Sequence, residues 1–129
     1  MKNAKYVVMF FKSCLEILRY ELLSRVCGIG WILRELKQLR VSRVPFTQRL
    51  ERDVCDAVLL ATCFHWKPVL CLQRSVCTAR LLKRCGIDAH VVIGYRSSPF
   101  FSHAWVEVDG RVIYGSPAYK RQLQPLFVS

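Results

Sequence analysis

A cysteine and a histidine offer this 129-residue chain its clearest route to covalent chemistry. Cys71 stands in Lys-Pro-Val-Leu-Cys-Leu-Gln-Arg-Ser, where a proline-containing connection is expected to open a buried helix. A thiol at a helix start gains from unpaired backbone N–H groups and the positive end of the helix dipole, which favour the thiolate. His103 stands in Phe-Ser-His-Ala-Trp-Val-Glu-Val-Asp-Gly, which is typical of a β-hairpin. An imidazole facing the thiol can accept a proton during attack and return it to a leaving amine.

The first helical turn after the thiol predicts where a reacting oxygen would be held. Backbone N–H groups of Cys71, Leu72 and Gln73 can bind the oxyanion of a tetrahedral intermediate. The side chains of Gln73 and Ser75 can add polar contacts in the same turn. The ordinary alternative is that Cys71 is a buried core cysteine and His103 a strand histidine with a structural partner, since the two residue types often co-occur.

Hydrophobic periodicity predicts helices over the first sixty-six residues. We expect one from about Ala4 to Arg25, a short one from Trp31 to Arg40, and one that follows a Thr47 cap and runs to about His65. The helix that carries the thiol is predicted to run from Cys71 to Cys85, and Gly86 is a natural stop.

Strand patterns dominate the sequence after this glycine. β-branched and aromatic residues predict strands over Ala89–Tyr95, Phe101–Val108 and Arg111–Tyr114, with Asp109-Gly110 as a hairpin turn. The sequence therefore predicts a single α+β domain, residues 1–129, in which a helical part (1–66) precedes a core that contains the thiol (67–118). Residues 119–129 show no periodicity and are expected to form a tail.

The register of the hairpin bears on a third catalytic group. A three-residue loop pairs Glu107 with Arg111 and places His103 opposite Gly115, whereas a two-residue loop pairs Glu107 with Val112. The first register is favoured because it gives Glu107 an opposite charge as its partner. It places His103, Trp105 and Glu107 on one face with Arg111 and Ile113, and it leaves a glycine where a carboxylate that orients the imidazole would belong.

Composition limits the classes of partner and compartment. The formal charge of +11 suits nucleic acid, anionic lipid or an acidic peptide, but the basic residues are scattered, as on an ordinary solvated surface. No nucleic-acid-binding motif supports the first option. The seven cysteines include no Cys-x-x-Cys, which argues against a disulfide framework or a metal site. The six other than Cys71 are expected to be small core residues of a protein in a reducing cytoplasm: Cys14, Cys27, Cys55, Cys63, Cys77 and Cys85. No apolar stretch reaches membrane-spanning length, although contact of the first helix with a membrane surface stays open.

A run of motifs between about residues 68 and 118 resembles one known family. The motifs are Cys71-Leu-Gln-Arg-Ser, Ala79-Arg-Leu-Leu-Lys-Arg-Cys-Gly86, Val91-Val-Ile-Gly-Tyr, Pro99-Phe and His103-Ala-Trp-Val-Glu-Val-Asp-Gly. In this order they resemble the transglutaminase-like leader peptidases of lasso-peptide biosynthesis, in the stand-alone form that corresponds to the protease half of the maturation B protein. The resemblance implies a transglutaminase-like, papain-like fold in which the nucleophile helix packs on a small antiparallel sheet.

The resemblance also implies a Cys-His-Asp protease that removes a leader from a ribosomally made precursor peptide. Cys71 takes the nucleophile position and His103 the position of the base, while the aspartate of the family is replaced here by Gly115. Asp109 and Ser116 are the nearest candidates for a substitute third member. No metal or other cofactor is implied.

The partners implied by the resemblance are a separate leader-recognition protein, the precursor peptide and an ATP-dependent cyclase that acts afterwards. Two alternatives keep the fold. An acyltransferase would use an amine in place of water, as transglutaminases do. A non-catalytic peptide-binding pseudoenzyme is suggested by the glycine in the carboxylate position.

Overall fold

The computed structural model describes residues 2–39, 48–65, 69–97, 100–108, 110–114 and 123–128. Within these described residues, four helices precede the strands, and the last helix leads into a small antiparallel sheet. In chain order the elements are α1 (Lys2–Val26), α2 (Ile29–Gln38), α3 (Gln48–Cys63), α4 (Cys71–Arg84), β1 (Ala89–Ser97), β2 (Phe100–Val108), β3 (Arg111–Tyr114) and β4 (Gln124–Val128). The predicted helices are found within a few residues, while Thr47, the expected cap of α3, lies outside the described residues.

Helix α4 is the centre of the helical layer. Its central residues are almost fully buried, and Gly86, at a φ of 89°, ends it in the left-handed conformation that glycine adopts without strain. Helix α1 runs antiparallel to α4, because Met9 and Lys12 of α1 line one cavity with Cys85 at the end of α4, whereas the later Ile17 accepts a hydrogen bond from Gln73 near its start. The start of α4 therefore lies beside the second half of α1.

Charged groups tie α4 to the two preceding helices. Arg80 forms ion pairs with Glu16 of α1 and Glu35 of α2, and Arg19 of α1 also binds Glu35 at 2.5 Å. Lys83 is buried and donates to the carbonyl of Leu36 at 2.8 Å. The composition predicted that the scattered basic residues lie on a solvated surface, and this is wrong for some of them. Arg80 and Lys83 of α4 instead lie inside the helical layer.

The sheet has the order β3-β2-β1-β4, and all of its neighbours are antiparallel. Strands β1 and β2 pair without a shift from Ala89↔Val108 to Ser97↔Phe100. Strand β4, which pairs with the far edge of β1, was not predicted, and residues 124–128 are therefore not part of a structureless tail.

The register predicted for the hairpin is wrong. Val108 pairs with Arg111 and Glu107 with Val112, which is the two-residue loop, with Gly110 at a φ of 78°. The expected partner charges bind elsewhere, since Arg111 forms an ion pair with Glu51 of α3 at 3.3 Å. A register shift follows between Val106 and Glu107.

The two faces of the sheet belong to different hydrophobic clusters. Val91, Val106 and Val108 join the main core with the helices, and Ile113 packs against that core. Val92, Trp105 and Leu123 form a second cluster, against which Phe101 and Val112 pack. His103 and Glu107 alternate with the main-core residues of β2 and so share the second face with Trp105. Arg111 and Ile113 lie on the opposite face, contrary to the predicted common face.

Helix α1 carries an exposed apolar stripe. Its members recur at steps of three and four residues and are 47% to 65% exposed: Val8, Phe11, Leu15, Leu18 and Leu22. Along the described part of the chain, no helix combines the length and the apolar character that crossing a membrane would require.

Candidate functional site

Cys71 is the first residue of α4, and its side chain is half-buried. The N-cap residue, Leu70, has an extended backbone (φ −77°, ψ 163°) and a side chain that cannot accept a hydrogen bond. The first helical bond runs from the N–H of Arg74 to the carbonyl of Leu70, at 3.0 Å. The N–H groups of residues 71–73 precede this bond, so the helix leaves them without an intrahelical acceptor. This is the backbone arrangement that the sequence predicted beside the thiol.

The side chains predicted to add polar contacts in this turn serve the core instead. The amide of Gln73 is buried and donates through Nε2 to the carbonyl of Ile17 at 3.3 Å. Ser75 is buried as well. A contribution of Gln73 to an oxyanion site is therefore limited to its backbone N–H. The role predicted for the N–H groups of Cys71, Leu72 and Gln73 stays a prediction.

Tyr20 lies on the α1 side of this turn and was not singled out from the sequence. Burial raises the pKa of Tyr20 to about 12, and the nearby carboxylate of Glu21 acts in the same direction. The phenol therefore keeps its proton at neutral pH. Tyr20 is three residues after Ile17, whose carbonyl accepts a hydrogen bond from Gln73, so it lies on the part of α1 that runs beside the start of α4.

His103 lies in β2, where its Cα faces that of Gly94 in β1. The half-buried imidazole stands between two aromatic rings of its own strand. The Phe101 ring is 6.4 Å away between centroids, with 15° between the planes, and the Trp105 ring is 6.3 Å away at 22°. The three rings form a nearly parallel stack.

The electrostatic surroundings of His103 favour its neutral form. Burial lowers the pKa of His103, and the positive charge of Arg74 lowers it further. Arg74 lies three residues after Cys71, which is close to one helical turn. His103 lies on the second face of the sheet, however, whereas α4 packs against the face that joins the main core, so the placement of the imidazole opposite the Cys71 thiol stays a prediction. A neutral imidazole is the form that can accept a proton from a thiol.

The remaining thiols divide into buried and exposed groups. Burial raises the pKa of the Cys14, Cys55, Cys77 and Cys85 thiols, which weakens them as nucleophiles at neutral pH. Cys27 and Cys63 are exposed, so the expectation that all six other cysteines are core residues is wrong for these two. All seven cysteines are free.

The candidates for a third catalytic member fall outside the described residues. Asp109, Gly115 and Ser116 are not described, so a role for any of them stays a prediction. The argument that placed Gly115 opposite His103 no longer holds, because Val106 already pairs with Tyr114. Among the described residues, no three acidic, cysteine or histidine side chains come together as metal ligands would.

Comparison with known proteins agrees with this arrangement of a helix start and an antiparallel sheet. The chain belongs to the transglutaminase-like superfamily, which matches residues 15–128. The predicted α+β, transglutaminase-like fold is thereby confirmed.

One relative is the Microcin J25-processing protein McjB of Escherichia coli. The two proteins are 34% identical over 99 residues, which is 74% of this chain and 46% of McjB. The chain thus spans about half the length of this relative. No solved structure matches the chain.

Proposed function

We propose that this chain is a cysteine peptidase that removes the leader from a lasso-peptide precursor. The observation that carries the proposal is the position of Cys71 as the first residue of α4, after an N-cap residue, Leu70, whose side chain makes no capping hydrogen bond. The likeness to a microcin-processing protein supports peptide processing as the activity. The motifs that resemble lasso-peptide leader peptidases lie in the same part of the chain.

Attack on the leader–core bond would begin with transfer of the Cys71 proton to His103. The sulfur then bonds to the carbonyl carbon, and the N–H groups of residues 71–73 hold the resulting oxyanion. Collapse of this intermediate breaks the C–N bond, and the imidazolium gives its proton to the amine of the departing core peptide. Water, deprotonated by His103, then releases the leader as a carboxylate and restores the thiol. No cofactor takes part.

The proposed partners follow from the same assignment. They are the precursor peptide, a separate leader-recognition protein and an ATP-dependent cyclase that receives the released core, all in the cytoplasm. The net charge of +11 suits the binding of an acidic peptide segment.

An acyltransferase is a second candidate, because the same acyl-enzyme would react with an amine in place of water. This candidate is supported by membership of the transglutaminase-like superfamily. The products separate the two candidates, since hydrolysis releases a leader with a free carboxylate and transfer yields an amide of the leader.

The direct experiment is incubation of the protein with a precursor peptide and its recognition partner, followed by mass spectrometry. Cys71→Ala serves as the inactive variant and Cys63→Ser as the matched control, because Cys63 is exposed and belongs to another helix, α3. We expect leader release by the wild type and by Cys63→Ser alone. Release by Cys71→Ala would overturn the assignment, and release by no variant would favour the non-catalytic alternative.

A further inference from the structure

We propose that Trp105 is a positioning residue for His103: its indole, anchored by Glu107 and lying over Gly94, fixes the plane of the imidazole. The proposal rests on the assignment of His103 as the base of the proposed peptidase. It assigns the orientation of the imidazole to a ring stack on its own strand.

The first step is the stack itself. Side chains two residues apart on a strand share a face, so Phe101, His103 and Trp105 follow one another along β2. Their centroids are 6.3 Å to 6.4 Å apart, and the planes differ by 15° to 22°. These separations lie within the range over which aromatic rings attract each other. The near-parallel arrangement is one that such ring pairs prefer, so the two neighbours together favour the observed orientation of the imidazole.

The second step is the anchor of the indole. Trp105 Nε1 donates a hydrogen bond to Glu107 Oε2 at 2.8 Å, and the indole is almost fully buried. A hydrogen bond to a charged acceptor is stronger than one to a neutral group. Glu107 thereby fixes the ring that borders His103.

The third step is the space that the indole occupies. A Cβ at Gly94 would lie 2.6 Å from Cη2 and 2.8 Å from Cζ3 of Trp105. Since real Cβ atoms do not approach so closely, the indole can lie across β1 only because residue 94 has no side chain. Gly94 is also the Cα partner of His103. The glycine thus gives the indole room beside the catalytic position.

The stack has a second effect on the base. Rings on both sides keep water from part of the imidazole and so contribute to the burial that lowers the pKa of His103. The same rings that orient the imidazole thus also favour its neutral form, in addition to the effect of Arg74. Loss of the indole should change both properties together.

The test compares Trp105→Leu with Trp105→Phe and Glu107→Leu, using Val112→Ala as the matched control. Val112 packs in the same cluster and faces Glu107, but it is not part of the stack. Two measurements are made on each variant. One is kcat and KM for leader cleavage from pH 5 to 9, and the other is the NMR titration of the His103 ring protons. The chain has three histidines, so single His65→Gln and His90→Gln spectra assign the signals.

We expect Trp105→Leu to lower kcat roughly 100-fold, as a misplacement of about 1 Å does, with KM changed less than about twofold. The pKa of His103 should rise, because the ring loses a neighbour that excludes water. Trp105→Phe keeps a ring and should recover most of the loss, while Glu107→Leu should lower kcat roughly tenfold. Val112→Ala should lower the free energy of unfolding by about 1 kcal/mol and leave the pKa of His103 unchanged.

Two results would overturn the proposal. One is an equal loss of kcat in Trp105→Leu and Val112→Ala without a change in the His103 pKa. The other is an unchanged His103 titration in both Trp105→Leu and Glu107→Leu. If Trp105→Leu does not fold, Trp105→Phe and Glu107→Leu still decide the question. Failure of the proposed function can be told apart from failure of this proposal. If the wild type does not cleave the leader, the NMR titration of His103 still shows whether the ring stack controls the imidazole.

Discussion

The start of α4 and the second face of the sheet support their reactive groups in different ways. Cys71 depends on main-chain groups, namely the first N–H groups of a helix that ion pairs hold against α1 and α2. His103 depends on side chains, namely the rings of Phe101 and Trp105. Backbone support is insensitive to the residues in the turn, whereas side-chain support is lost with a single substitution. The two groups should therefore respond independently to substitutions in their own surroundings.

The largest effect should come from removing either reactive group. Cys71→Ala and His103→Asn should each lower the rate of leader cleavage by roughly 10⁴-fold or more, because nucleophile and base act as a unit. Mass spectrometry of the released leader measures this rate. Cys27→Ser and His90→Asn are the matched controls and should stay within about twofold of the wild type. A His103→Asn variant that kept a tenth of the wild-type activity would refute the role of His103 as the base.

The next effect tests the ion pairs that hold α4. Arg80→Met leaves Glu16 and Glu35 with less compensation, so the free energy of unfolding should fall by about 3 kcal/mol in urea titrations. Arg84→Met should cost less than about 1 kcal/mol, because Arg84 is largely exposed. The His103 titration should not move in either variant. A shift of its pKa in Arg80→Met would show that the two supports are coupled.

A substitution at the N-cap should separate stability from activity. Leu70→Asp supplies a side chain that accepts hydrogen bonds from the first-turn N–H groups and should raise the free energy of unfolding by about 1 kcal/mol. The same carboxylate competes with the oxyanion, so cleavage should slow roughly tenfold. Leu70→Ala, whose side chain cannot accept a hydrogen bond, is the control and should change neither the free energy of unfolding in this way nor the cleavage rate. Faster cleavage by Leu70→Asp would refute a role for these N–H groups.

The smallest effect should be a shift of pH dependence. Arg74→Gln removes a positive charge that lowers the pKa of His103, so that pKa should rise. Because the neutral imidazole acts as the base, the acidic limb of the pH–rate profile should move to higher pH. The rate near pH 8 should stay within about twofold. Arg84→Gln, on the same helix but near its end, should leave the profile in place, and a downward shift in Arg74→Gln would contradict the assignment.

Much of the fold could be predicted from patterns along the chain. Apolar residues at helical spacing and the glycine after α4 gave the helices close to their observed bounds. Strand β4 was missed because Gln-Pro-Leu-Phe-Val lacks clear alternation, and its pairing depends on the edge of β1. The hairpin register was wrong because Glu107 binds Trp105 and Arg111 binds Glu51 of a distant helix. Local charge pairing could not reveal these competing partners.

The candidate site was predicted in part. The residue types and their settings indicated Cys71 and His103, and the resemblance gave each a role that remains proposed. The side chain of Gln73 was placed wrongly, since its burial depends on how α1 crosses α4. The ring stack was not predicted, although the sequence contains the alternating pattern that produces it. Phe101, His103, Trp105 and Glu107 occur at every second position of a predicted strand, which places them on one face.

The stripe of apolar side chains on α1 bears on the colloidal behaviour of the protein. Each chain carries a charge of +11, which repels other copies and keeps the exposed side chains of Val8 to Leu22 apart. Added salt shortens the range of this repulsion to about 10 Å at 0.1 M, while it leaves the hydrophobic attraction in place. Concentrated solutions should therefore become turbid as salt is added and clear again on dilution into low salt.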